Sequence, residues 1–148
     1  MITSTIRFKK TNDKAIVPTY GTEYSAGADM YACIDTPVII EPGKTVLIPT
    51  GLALEIPEGY AGLIYARSGL ATKKGIAPAN KVSVIDSDYR GEIRIPLHNH
   101  SEEAVTIDVA ERIAQIIFTP YLKVAFEESD SLSDTERGLG GFGSTGRL

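Results

Sequence analysis

Long apolar runs are missing from this 148-residue sequence. No stretch approaches the ~18 residues that a transmembrane helix requires, so no membrane span is expected. Met1–Lys10 lacks the apolar region of a secretory leader, and none is expected there. Cysteine is nearly absent too: Cys33 stands alone, which excludes a disulfide framework and fits a reducing compartment. The expected location is cytoplasmic, with a nuclear or viral setting left open. No basic run occurs, and 15 Lys+Arg against 19 Asp+Glu give a net charge of −4, so stable nucleic-acid binding is not expected. An acidic chain that handles an anionic ligand must then gather its few arginines at the site.

Several familiar strings fail on context. No GxxxxGK[ST] phosphate loop exists. Gly138-x-Gly140-x-x-Gly143 fits a dinucleotide fingerprint only as letters, because no strand precedes it and no helix follows. Asp86-Ser-Asp88 opens like a calcium loop, but Arg90 holds its fifth position and Leu97 its twelfth, where a bidentate Glu belongs. His98-x-His100 supplies two imidazoles, and with one cysteine in the chain a zinc site is not expected.

What is present reads as one domain with a real core, since 43% of residues are hydrophobic and 23% charged. The eight prolines, spread from Pro18 to Pro120, interrupt nearly every segment long enough for a helix. Between them the pattern alternates with period two: Leu52, Leu54 and Ile56; Ile93, Ile95 and Leu97; Val105, Ile107 and Val109. These are half-buried strands, with turns expected at Pro42-Gly43, Glu58-Gly59 and Arg90-Gly91. The expected fold is all-β, a jelly-roll-like sandwich or barrel of short strands, with at most one short helix near Ser68–Lys74. Residues 1–126 form the expected core. Residues 127–136 hold five carboxylates and three serines and read as an acidic linker, which spans roughly 33–36 Å if extended. Residues 137–148 form a glycine-rich arm.

Four segments carry chemistry. Arg67-Ser68-Gly69 offers a guanidinium, a hydroxyl and an unobstructed backbone N–H, suited to phosphate oxygens, although a β-turn with a surface arginine has the same letters. Asp86 to Glu92 is charge-dense after the apolar Val82–Ile85 and reads as a ligand loop or a solvated hairpin tip. Glu111-Arg112-Ile-Ala-Gln115 sets polar groups in an apolar run, and a buried salt bridge explains Arg112 as well as a ligand does. The arm combines Arg137, Phe142, Gly143, Ser144 and Thr145, equipment for stacking on a base and gripping phosphate.

Together these segments resemble the trimeric dUTPase family over nearly the whole chain. Its five motifs appear in order: Ala26–Met30, Arg67–Ala71, Asn80 through Val84–Glu92, Glu111–Gln115 and Arg137–Gly146. Three positions depart from the family pattern. Ser83 and Ala110 stand where glycine is usual, and Ala66 where proline often precedes the Arg-Ser pair. The resemblance implies hydrolysis of dUTP to dUMP and pyrophosphate, which limits uracil entry into DNA and supplies dUMP for thymidylate synthesis. It also implies Mg²⁺ as cofactor and a homotrimer with sites shared between subunits. By the same resemblance Asp86 activates the attacking water, while Ser68, Gln115 and Arg137 complete the catalytic set. Arg67, Gly69, Asn80, Ile85, Tyr89, Phe142, Gly143, Ser144 and Thr145 bind substrate, Arg112 and Asp88 give electrostatic support, and Asp29 meets Mg²⁺ through water. Two alternatives stand beside it: a non-catalytic or moonlighting deoxynucleotide-binding regulator on this scaffold, and a relative of dCTP deaminase.

Overall fold

The computed structural model describes residues 5–142. Twelve strands and one helix occur among them: β1 (Arg7–Lys10), β2 (Thr19–Tyr20), β3 (Ala28–Tyr31), β4 (Val38–Ile40), β5 (Thr45–Pro49), β6 (Leu52–Glu55), β7 (Tyr60–Tyr65), α1 (Ser68–Lys74), β8 (Ile76–Pro78), β9 (Ser83–Ile85), β10 (Arg94–Asn99), β11 (Val105–Ile107) and β12 (Arg112–Pro120). This is the expected all-β architecture with one short helix. Every pairing is antiparallel, in four sheets ordered β1-β6, β5-β10-β8, β11-β4 and β2-β3-β12-β7-β9. Neighbours in space are mostly distant in sequence, as the crossing connections of a jelly roll require.

The alternating segments bury one face each. In β10, Ile95, Leu97 and Asn99 turn inward, while Arg94 points to solvent and Pro96 and His98 are half-buried. Twelve large side chains have less than 2% of their surface exposed, and nine of these are isoleucines, whose stiff, β-branched side chains suit a pleated surface. Two expectations shift slightly. β11 stops at Ile107, so Val109 is exposed rather than buried. The turn expected at Arg90-Gly91 closes earlier, where Tyr89 N–H donates to Asp86 C=O at 3.2 Å.

The buried Asn99 is fully used. Its amide donates to Ile40 C=O (2.8 Å) and Glu103 C=O (2.7 Å), and its Oδ1 accepts from the Ser101 N–H and hydroxyl. The helix begins after Arg67, whose extended backbone forms the N-cap, and ends at Gly75 in the left-handed region (φ 67°), which glycine enters without penalty. From Tyr121 to Phe142 the chain carries no regular strand or helix and is almost wholly exposed.

Candidate functional site

β12 lies between β3 and β7, and its register draws three sequence segments to one end of the large sheet. Gln115 pairs with Asp29 on one side and Tyr65 on the other. Just beyond Tyr65 the chain turns into α1, so Arg67 reaches back across the strand ends. Its Nε donates to Asp29 Oδ1 at 2.7 Å, and its Nη1 to Arg112 C=O at 3.3 Å. Arg112 Nη1 donates to Asp29 Oδ2 at 3.2 Å. The Asp29 carboxylate, only 14% exposed, is thus clamped between two guanidinium groups; the expected salt bridge of Arg112 is present, but it is not buried, since the Arg112 side chain stands 52% exposed at the strand end. A shift in the β12–β3 register between Arg112 and Ala114 accompanies that placement.

Gln115 Nε2 donates to Ala66 C=O at 2.9 Å. That bond uses the main chain, so alanine in place of proline leaves it available. The same side chain lies across Gly27, where any Cβ would collide with Gln115 Oε1; glycine is needed there for close approach. The first hydrogen bond of α1 runs from Ala71 N–H to Arg67 C=O, so the N–H groups of Ser68, Gly69 and Leu70 have no partner within the helix. Ser68 and Gly69 are exposed, and nothing lies within 4 Å of a Cβ built on Gly69. Asp29, Arg67, Ser68, Gly69, Arg112 and Gln115 therefore sit at one end of the sheet.

Asp86 does not join them within the chain. β9 pairs Ile85 with Gly62 of β7, so Asp86 follows toward the Tyr60 end while Arg67 lies past Tyr65. Six residues at ~3.3 Å each put them about 20 Å apart along the strand direction. Asp86 instead borders a cleft of about 480 Å³ with Leu47, Val84, Ile85, Tyr89, Glu92, Ile93 and Arg94, a size usual for small-ligand sites. Local bonds shape this loop. Tyr89 Oη donates to Glu92 C=O (2.9 Å), Arg90 Nη1 to Ser87 C=O (2.7 Å), and Glu92 Oε1 accepts from Gly51 N–H (2.9 Å). Asp88 is exposed at the turn and makes no ion pair among the described residues.

The departures from the family pattern have local explanations. Ser83 is buried, and its hydroxyl donates to Asn80 Oδ1 at 3.0 Å, which orients the amide and leaves Nδ2 as the outward donor. Ala110 takes up φ 59°, the left-handed backbone that glycine would occupy at no cost. Leu47 and Arg94 were missed in the sequence. Leu47 sits in the run Thr45–Pro49, where an outward leucine cannot be told from a core one by alternation. Cys33 is half-buried, and burial pushes its thiol pKa up, as expected of an inert rather than a nucleophilic cysteine.

In the arm, Arg137 Nε donates to Gly140 C=O at 2.8 Å, and Phe142 is fully exposed; neither touches Asp29 or Asp86. Gly143, Ser144 and Thr145 lie outside the described residues.

A family model for dUTPase matches residues 13–146. The deoxyuridine 5'-triphosphate nucleotidohydrolase of Nautilia profundicola is 51% identical over 142 residues, covering 96% of this chain and 99% of its own. Its counterpart in Syntrophotalea carbinolica is 42% identical over 146 residues and covers 99% of both chains. The dUTPase of Staphylococcus bacteriophage 80alpha, solved with dUPNHPP, is similar with a TM-score of 0.89 at 28% identity, over 97% of this chain and 99% of that one. With the match running through the clamped Asp29, the Asp86 cleft and the strands that place them, the chain belongs to the dUTPase family.

Proposed function

We propose that the protein is a dUTP diphosphatase, hydrolysing dUTP to dUMP and pyrophosphate by in-line attack of water on the α-phosphorus. The observation that carries this reading is the Asp29–Arg67–Arg112–Gln115 cluster, which ties the first, second and fourth motif segments into one phosphate-facing surface. Backbone N–H groups of Ser68 and Gly69, the Ser68 hydroxyl and the Gln115 amide are the donors for phosphate oxygens and for the departing pyrophosphate. Arg67 and Arg112 add positive potential while holding Asp29 in place.

Asp86 is the base. An exposed carboxylate beside the cleft can hold the attacking water by hydrogen bond and take its proton, a contribution of about 10²–10⁴ in rate. In the hairpin, the fixed main chain of Ser83–Ile85 and the outward Asn80 amide recognise the uracil edge, since a cytosine would leave buried donors and acceptors unmatched. Tyr89, its ring tethered through Oη, packs under the deoxyribose and leaves no room for a 2′-hydroxyl. Asp88 supports the loop electrostatically.

Family membership carries a Mg²⁺-dependent mechanism. Among the described residues no group of three or more His, Cys, Asp or Glu can cage an ion. Asp29 spends one lone pair of each oxygen on an arginine and keeps the others for water. This donor set fits Mg²⁺ that arrives on the triphosphate, keeps its waters and meets Asp29 through them. Bound there, the ion would neutralise phosphate charge.

Because Asp86 and the phosphate cluster lie about 20 Å apart along β7, a complete site needs the cluster of one chain and the cleft of another. This supports a shared-site oligomer, which we take to be a homotrimer. Residues 137–148 then form the arm that closes over the nucleotide, with Arg137, Ser144 and Thr145 on the γ-phosphate and Phe142 on the base, and residues 127–136 form its linker. A test is pyrophosphate release from dUTP beside dCTP, dTTP and UTP with Mg²⁺, with Asp86→Asn as control. Release from dUTP alone, lost in the variant, is expected; release from all four, or undiminished release by the variant, would sink the reading.

A further inference from the structure

On the outer face of β10 and just past its end, two imidazoles meet. His98 and His100 are two residues apart, so their side chains leave the same side of the chain, and their ring centroids are 4.4 Å apart at an interplanar angle of 64°. Thr45, the cross-strand partner of His98, places its Oγ1 2.9 Å from His98 Nδ1. A hydroxyl there fixes the ring and leaves Nε2 as the remaining nitrogen, the arrangement by which proteins commonly orient a ligating histidine. We infer that His98 and His100 form a two-imidazole chelate for a first-row transition-metal ion, Cu²⁺ or Ni²⁺, distinct from the Mg²⁺ requirement.

The spacing selects the metal. With a metal–nitrogen distance of ~2.0–2.1 Å and a ring radius of about 1.2 Å, an ion held by both rings lies ~3.2 Å from each centroid. Centroids 4.4 Å apart then subtend about 87° at the ion. That is the cis angle of tetragonal Cu²⁺ or octahedral Ni²⁺; a tetrahedral ion, at about 109°, would need centroids roughly 5.2 Å apart. The Thr45 bond holds the His98 ring, so it is His100 that must turn its nitrogen toward the ion, by rotation about its own χ2, a soft torsion in histidine. Mg²⁺ prefers oxygen donors and would not compete. Burial first, then His98 and Lys81, lowers the pKa of His100.

The test is titration of the full chain with CuCl₂, in buffer containing Mg²⁺, followed by electron paramagnetic resonance, with thermal denaturation in NiCl₂ alongside. One Cu²⁺ per chain with two-nitrogen hyperfine structure is expected, together with a rise in Tm in Ni²⁺ that EDTA reverses. His98→Gln and His100→Ala should each weaken binding tenfold or more. His100 is exposed, so its variant keeps the fold, and an unchanged Tm in EDTA checks this. Absence of binding, equal affinity in either histidine variant, or one ion per three chains would each overturn the inference.

Discussion

The two ends of β7 are built in opposite ways. At the Tyr65 end, the bonds that set Asp29, Arg67, Arg112 and Gln115 join residues 38, 83 and 49 positions apart. At the Tyr60 end, the loop around Asp86 and Tyr89 is shaped mostly by side-chain bonds spanning one to three residues, with one longer tie from Gly51 N–H to Glu92 Oε1. The first region exists only when the sheet is closed; the second is largely encoded in its own few residues. Substitutions at the first end should therefore disturb stability and function together, and at the second end function alone.

The sharpest break in that contrast would come from Asp86→Asn, which should lower kcat by about 10²–10⁴ while leaving the urea midpoint where it is. A shifted midpoint would show that the loop is coupled to the sheet after all. Asp29→Asn sits on the other side of the comparison. It removes the charge between two guanidinium groups and should cost about 1–3 kcal/mol in addition to activity. The cost falls below the ~3–5 kcal/mol of breaking a fully buried pair because the Arg112 side chain is 52% exposed. Chemical denaturation measures it, and an unchanged stability would make the clamp a surface ornament.

Tyr89→Ala should narrow the preference for dUTP over UTP by roughly tenfold, read as a ratio of kcat/KM, with little change in Tm. The smallest effect belongs to Ala110→Gly. It releases a left-handed alanine beside the first region, worth about 1–2 kcal/mol, against about 0.5–1 kcal/mol for the greater backbone entropy of glycine, and should raise Tm by up to ~2 °C.

The same contrast governs how much could be read before the fold was seen. Helix α1 was legible to the residue because Gly69 and Gly75 bracket it, Gly75 supplying its left-handed stop. β6 and β10 were legible from alternation, since one face of each meets the core. The order of strands was not, because β12 reads as a continuous apolar run with no mark of its two neighbours. Resemblance gathered Asp29, Arg67, Arg112 and Gln115 as names, but that both arginines close on one carboxylate, and that Gln115 lies over Gly27, depends on register between distant strands. Leu47 escaped notice for the same reason, as a member of an apolar run whose outward face only its β10 partner reveals.

The place of β12 also sets a schedule for synthesis. Its nine residues form the seam between β3 and β7, yet they follow both in the chain. While the ribosome is still making residues 66–111, those two earlier strands wait with open edges where β12 will later sit. Unpaired edges invite pairing with another chain. Conditions that slow translation before Arg112 should accordingly raise the insoluble fraction more than equal delays placed after Pro120.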